Sequence, residues 1–326
     1  MNITITGNLG AGKSSVCKEF EKQGFTIITG GSIFRDIAQE MGISVEELNR
    51  KVNAGEIKGI DNKIDTRTTE LSKQMDNVVF DSRLAWNFAA ESFKVFLIID
   101  PQIAAERVYQ GNDRNAEHYA SLDDAVKGLK RRADLEQERF LDMYNIDYYD
   151  ASNYDLIIES SYATPQQIAK EILDNFEQYK MGNYQRRVEL NLRGMYPTQS
   201  FRDFNSDTIN KYYEEEKTND SLCAQEGPYI AVHNGYNYIL DGHHHAFAAL
   251  IAGKVFTDVS RSIANKYNEK DICNIPKKEL YDFEDLGKFQ YHYYPEDIPV
   301  KEGYHLDFTR FADDRQNDLE LSEMEI

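Results

Sequence analysis

The stretch Gly7-Asn8-Leu9-Gly10-Ala11-Gly12-Lys13-Ser14 is where residue type and spacing specify chemistry most directly. Gly7, Gly10 and Gly12 let successive backbone N–H groups turn toward one anion without obstruction by a Cβ, and a helix starting there adds the positive end of its dipole. The pattern is G-x-x-x-x-G-K-[ST]. It lies between the apolar run Ile3-Thr4-Ile5-Thr6 and a helical stretch, the context the motif requires. Lys13 is expected at the β- and γ-phosphates of a nucleoside triphosphate and Ser14 at a Mg²⁺ ion, with Ser15 completing the nucleotide-binding set.

Further segments follow in order: Gly30-Gly31-Ser32-Ile33-Phe34-Arg35, Ile64-Asp65-Thr66-Arg67, Asp81-Ser82-Arg83-Leu84-Ala85 and Ala105-Glu106-Arg107. Then come Arg131-Arg132 through Arg139-Phe140, Tyr144-Asn145-Ile146-Asp147 and Tyr154-Asp155-Leu156. On these residues the chain to about residue 180 resembles the archaeal-type cytidylate kinases, P-loop kinases of nucleoside monophosphates. The resemblance implies ATP or GTP as phosphoryl donor, Mg²⁺ as cofactor and a phosphate-bearing acceptor. It implies that Arg35 and Arg83 hold the acceptor phosphate, that Asp65 and Arg67 lie by the acceptor base, and that Arg107 belongs with this acceptor-binding group. Arg132 and Arg139 would come from a lid closing over the donor, and Asp81 would join Ser14 at the metal. Lys13, Asp81, Arg132 and Arg139 are then the catalytic set. Arginine suits such a site because a planar guanidinium clamps phosphate bidentately and neutralises the charge that spreads during transfer. Arg132 and Arg139 are seven apart and share a helix face, whereas Arg131 points elsewhere. The family's acid-glycine-arginine is Asp81-Ser82-Arg83 here, and the segment 110–120 is longer and more polar than the family's. The acceptor therefore stays open among a nucleoside monophosphate, another small molecule and a polymer end.

A second constellation begins with Pro197-Thr198-Gln199. It continues with two β-prone runs around Asn234-Gly235, then Asp241-Gly242-His243-His244-His245 at the start of an alanine-rich helix. Over about 186–260 it resembles the ParB/sulfiredoxin fold family, in which this helix start meets nucleotide phosphates, and which includes a free-serine kinase. A glycine turn with free N–H groups suits an anion. His245 replaces the usual arginine. Three consecutive histidines diverge around a helix, so a phosphate or catalytic site, a structural turn and a metal site all stay open. Arg186, Arg187 and Arg193 read as a solvated strand edge.

The elements that must position these residues alternate. Strands are expected at 3–6, 25–28, 77–81, 94–100 and 154–158, the middle ones being apolar runs closed by an acid, as in a parallel sheet covered on both faces. Helices are expected near 14–23, 32–41, 44–53, 61–75, 101–110, 121–143 and 164–179, the last announced by Thr164-Pro165 and Gln167. This is an α/β, doubly wound P-loop domain at 1–180. A C-terminal α+β, ParB/sulfiredoxin-like domain at 181–326 follows, with a hairpin at 229–240, a helix at 243–252 and an acidic tail at 313–325.

The length of 326 residues fits two domains. No run approaches the roughly 18–20 apolar residues of a membrane span, so a cytoplasmic location without membrane contact is expected. Cys17, Cys223 and Cys273 are too scattered for a disulfide framework or a cysteine zinc site. Lys plus Arg number 37 against 56 Asp plus Glu, and the net charge of −19 disfavours DNA as a partner except in a local basic groove. The leading expectation is a Mg²⁺-dependent phosphotransferase acting on a nucleoside monophosphate-like acceptor. Three alternatives are a kinase of hydroxymethylated pyrimidine in DNA, an amino-acid kinase housed in the second domain, and a nucleotide-gated regulatory protein. The last has no need of an acceptor clamp.

Overall fold

A computed structural model describes residues 1–111, 119–197, 206–218, 228–233 and 236–260. Thr198 and Gln199, most of the polar 110–120 segment, Cys223, the Asn234-Gly235 turn, Cys273 and the acidic tail lie outside the described residues.

The chain runs β1 (Asn2–Gly7), α1 (Lys13–Lys22), β2 (Thr26–Thr29), α2 (Gly30–Glu40), α3 (Val45–Asn53), α4 (Ile60–Gln74), β3 (Val78–Asp81), α5 (Ala85–Phe88) and β4 (Ser92–Ile98). It continues with α6 (Pro101–Gln110), α7 (Leu122–Tyr144), β5 (Leu156–Glu159) and α8 (Pro165–Lys180). Then follow β6 (Arg187–Asn191), β7 (Met195–Pro197), α9 (Ser206–Thr218), β8 (Tyr229–His233), β9 (Tyr236–Asp241), α10 (His243–Ile251) and β10 (Phe256–Asp258). Among the described residues no helix is long and apolar enough to cross a membrane.

The main sheet has the order β10-β6-β5-β4-β1-β3-β2, parallel except for β10. The chain leaves β1 for β2 on one side, fills the gap with β3, and only then crosses to β4 on the other side. That reversal of direction opens a crevice beyond the C-terminal end of β1, where ligands of open α/β sheets bind. Every residue of β1 is buried, as in a central strand covered on both faces. The 3-residue spacing of cap and capping-box side chains fixes where helices begin. Thr164 Oγ1 accepts from Gln167 N while Gln167 Oε1 accepts from Thr164 N, and Ser121 caps α7 through Asp124 N. At its far end α7 stops at Asn145, in the left-handed conformation at φ 54°.

The buried apolar residues of the described chain form three clusters, the smallest made of Val78, Phe80, Ala85 and Ala89. The large one extends from Ile3, Val95 and Phe96 through Val188 to Ile239 and Phe247. A separate small cluster of Ile33, Ile37, Leu48 and Ile60 holds α2, α3 and α4 together as a unit on the β2 side.

The change of pattern expected at residue 180 falls between α8 and β6, but hydrogen bonding carries on across it. β6 pairs with β5 in parallel, and β10 closes the outer edge of β6. Of the basic stretch expected as a solvated edge, Arg186 and Arg193 are exposed, and Arg187 is corrected here. Arg187 is only 8% exposed, because its guanidinium is met by Gln178 at 3.1 Å and Asp258 at 3.9 Å and lies over the Tyr184 ring. Beyond β6, a three-stranded sheet of order β7-β9-β8 has β8 and β9 antiparallel, matching the expected hairpin.

Candidate active site

The phosphate loop is built on a close approach of backbone. A Cβ on Gly7 would lie 2.5 Å from Leu97 O of β4, so only glycine lets β1 leave the sheet here. Gly12, at φ 83°, is the N-cap of α1, and the helix begins at Lys13. Lys13 Nζ folds back over the loop to Gly7 O at 3.2 Å and Asn8 O at 3.4 Å. Burial, then the Arg83 charge, bring its pKa down to about 7, with Asp81 acting in the opposite direction. Ser14 and Ser15 are exposed in the first turn of α1.

Arg83 follows β3 and reaches the same place. Its Nη1 donates to Gly7 O, the carbonyl that also receives Lys13. Burial opposes its charge, but the Glu136 carboxylate, with Tyr148 and Tyr149, holds its pKa above the usual arginine value. Asp81 ends β3 opposite Ile5 of β1. Burial raises its pKa, while Lys13 and Arg83 work to lower it. An exposed serine hydroxyl and an acid at the end of the adjoining strand are oxygen ligands of the kind Mg²⁺ takes while keeping several waters. The residues fit the ion.

α7 brings the remaining groups. It packs its small side, Ala125, Gly128 and Ala133, inward and turns Arg132, Glu136 and Arg139 along one face. Arg132 Nε donates to Glu136 Oε1 at 3.1 Å, and Arg83 Nε to Glu136 Oε2 at 2.8 Å. Arg139 pairs with Asp61 of α4 at 2.9 Å, and the Tyr144 hydroxyl donates to Asp65 at 2.7 Å. Burial raises the Asp65 pKa against that hydrogen bond. Arg35 is exposed near Gly31 at the start of α2.

Two expected members of the acceptor group stand elsewhere. Arg67 is two residues from Asp65, so the helix turns it away, and it pairs with Glu40 of α2 at 2.8 Å. Arg107 donates to Ser160 O and Ser161 O at 2.8 and 2.9 Å, and its Nη1 is 3.8 Å from where a Gly12 Cβ would be. It is therefore tied to the loop after β5, beside the helix end of the phosphate loop. The sequence alone assigns no role to Asp61, Glu136 or Tyr144. Of these, Glu136 carries a signal, an acid four residues after Arg132 on the same helix face.

At the second constellation, Gly242 is at φ 81° and a Cβ there would meet Pro228 Cα at 2.8 Å. Asp241 Oδ1 accepts from Gly242 N at 2.7 Å. His243 is buried, which pushes its pKa down to about 4. His244 is partly exposed. His245 stacks on Tyr212 with ring centroids 3.6 Å apart. The three histidines face different surroundings, and among the described residues no group of three or more His, Cys, Asp or Glu could hold a metal.

A glycine cradle at the end of a central parallel strand, its lysine, an acid on the neighbouring strand and a helix carrying arginines across the crevice define a P-loop phosphotransferase. Residues 2–162 match the model of the cytidylate kinase-like family. Similar proteins include the cytidylate kinase of Thermoplasma volcanium, 31% identical over 183 residues, 55% of this chain and 92% of that protein. That of Methanobrevibacter smithii is 33% identical over 174 residues, 53% of this chain and 96% of the relative. That of Methanocella arvoryzae is 38% identical over 162 residues, 49% and 88% of the two chains. The chain belongs to the cytidylate kinase-like family.

Proposed function

We propose that the chain transfers the γ-phosphoryl group of ATP or GTP to a nucleoside monophosphate of the cytidine type, with Mg²⁺ as cofactor. One observation carries the reading: Lys13 from the donor cradle and Arg83 from the acceptor side meet at a single oxygen, Gly7 O. Two polyanions brought to those groups would have their terminal phosphates side by side, as in-line transfer requires. Near neutral pH a phosphate monoester is already largely ionised, its second pKa being about 6, so the attacking oxygen needs no general base. The residues' task is orientation and charge compensation. Lys13 and the loop N–H groups would hold the donor. Arg83 and Arg35 would hold the acceptor phosphate, and Arg132, with Arg139, the charge developing between them. Ser14 and Asp81 would hold Mg²⁺, which supplies electrostatic stabilisation across the donor phosphates.

In this reading Asp65, held by the Tyr144 hydroxyl, faces the acceptor base, and Arg107 belongs to the donor side. Residues 1–180 would supply the kinase unit. The hairpin of β8 and β9 feeding the Asp241-Gly242 turn into α10 supports a ParB/sulfiredoxin-like unit for the residues that follow.

The test is radiolabel transfer from ATP or GTP, with and without Mg²⁺, to CMP, dCMP, UMP and AMP. Label is expected on the cytidine nucleotides, lost in Lys13→Ala and retained in His244→Ala. Label on none of the four, or loss in His244→Ala alone, overturns the reading.

A further inference from the structure

We propose that Glu136 is a positioning residue that ties the acceptor clamp to the lid helix, drawing Arg83 from the end of β3 and Arg132 from α7 onto a single carboxylate. The inference rests on the acceptor role given above to Arg83.

Two guanidiniums do not gather unaided, because each disfavours the other and the largely buried Arg83 also loses water. Glu136 supplies the opposing charge at the point where they meet. It has one oxygen on each arginine, at 2.8 and 3.1 Å, and both bonds are made through Nε. Arg83 gives its Nη1 to Gly7 O. Among the described residues, Arg83 Nη2 and both terminal nitrogens of Arg132 make no hydrogen bond. Glu136 thus orients the two side chains and leaves their phosphate-binding ends available. It is only 23% exposed, and Arg83 19%, so solvent screens this pairing less than a surface pair. Arg132, half exposed on the same helix, owes its direction to the i, i+4 bond with Glu136.

The arrangement also links the helix to the cradle. The path Gly7 O, Arg83, Glu136, Arg132 runs from the loop that binds the donor to the helix that crosses the crevice. Misplacing one end by an ångström is enough to cost about a hundredfold in rate where charged groups must align. An amide at position 136 keeps the size but loses the negative charge and puts an NH2 donor in place of one oxygen, so it cannot offer an oxygen to each arginine as the carboxylate does.

The experiment is steady-state kinetics of the full chain with CMP as acceptor, comparing wild type, Glu136→Gln, Glu136→Asp and Arg132→Gln, alone and with Glu136→Gln. Expected for Glu136→Gln is a fall of about 10- to 100-fold in kcat/KM for CMP. ATP binding measured by calorimetry should stay within about twofold, because Glu136 bonds no part of the donor cradle. Glu136→Asp, which keeps both oxygens, should recover part of the loss. Arg132→Gln should add little to Glu136→Gln, since the second change removes what the first has already released. Unchanged kcat/KM in Glu136→Gln, or full additivity with Arg132→Gln, overturns the proposal while the kinase reading stands. Equal loss of ATP binding and of CMP turnover also overturns it, because it marks a general structural role. Should Glu136→Gln fail to fold, Glu136→Asp takes its place with the same criteria. If the wild type phosphorylates no monophosphate, the acceptor reading and this inference fall together.

Discussion

At the residue scale, the crevice depends on charges held close to the point of balance. Lys13 is brought to about pH 7 mainly by burial and then by Arg83, so near neutrality it is divided between ammonium and amine. A triphosphate arriving at the cradle favours the ammonium and returns the pKa toward the ordinary lysine value. At pH 8, where ATP is fully ionised, binding should therefore take up a fraction approaching one proton, and at pH 6 almost none. Calorimetry of Mg-ATP binding in two buffers of different ionisation enthalpy reads this number, and Lys13→Met should remove the uptake along with most of the affinity. Binding at pH 8 with no proton exchange in the wild type would show that Lys13 is already charged. The motif placed Lys13 at the phosphates. The second cation beside it, which sets this pH dependence, comes from Arg83, seventy residues later in the chain, and only the fold brings the two together.

At the scale of elements, the legible parts were those where one local rule acts alone. β1, β3 and β4 are apolar runs covered on both faces, and the capping box of α8 and the hairpin of β8 and β9 were announced by residue type. Arg132 and Arg139 sharing a face followed from helical spacing. The partners of Arg67 and Arg107 were not legible, because a motif records order along the chain, while direction depends on the partners, Glu40 for one and the carbonyls of 160–161 for the other. β6 was hidden for another reason. Arg187-Val188-Glu189-Leu190-Asn191 alternates as an exposed strand would, yet all five residues are buried. The charge alternation is answered by Glu171 of α8, Asp258 of β10 and Lys254. Burial, followed by Asp258 and Glu171, lifts the Glu189 pKa well above the usual range, against the pull of Arg187, and burial pushes Glu171 up to about 6. A carboxyl with a higher pKa folded than unfolded favours the folded state below its unfolded pKa. That advantage is lost as pH rises through the folded value. Stability should accordingly decline from about pH 5 toward pH 8. Glu189→Gln should raise the melting temperature at pH 8, by on the order of 1 kcal/mol or a few degrees, with the gap closing near pH 5. Thermal melts across that range decide it. A lower melting temperature for the variant at pH 8 would mean that the charged carboxylate is fully paired with Arg187.

For the whole molecule, the question is how a kinase sheet accommodates residues its relatives do not need. The relatives are covered over 88–96% of their length by about half of this chain, so the residues from β6 onward are an addition. They do not hang from a linker. β6 takes the hydrogen bonds along β5, Glu159 at the end of β5 accepts from Asn191 N at 3.1 Å, and Val188, Ile230, Ile239 and Phe247 share the core that contains Ile3 and Val95. Composition marks a change of pattern near residue 180 but has no access to strand pairing, which is non-local and joins β6 and β10 to the first sheet. The consequence is mechanical. Cutting at residue 180 would leave β5, Leu156-Ile157-Ile158-Glu159, as a bare edge with a buried carboxylate deprived of its backbone partner. Unpaired apolar edges template association with other chains. Residues 1–180 alone are expected to aggregate, or to melt at least several degrees below the full chain, whereas residues 1–260 keep β6 and β10 and should remain monodisperse. Light scattering and thermal melts of the three forms, with ATP binding measured on each, provide the check. If residues 1–180 stay monomeric, melt with the full chain and bind ATP equally well, the added strands contribute nothing to the kinase unit and their pairing with β5 is only a convenience of attachment.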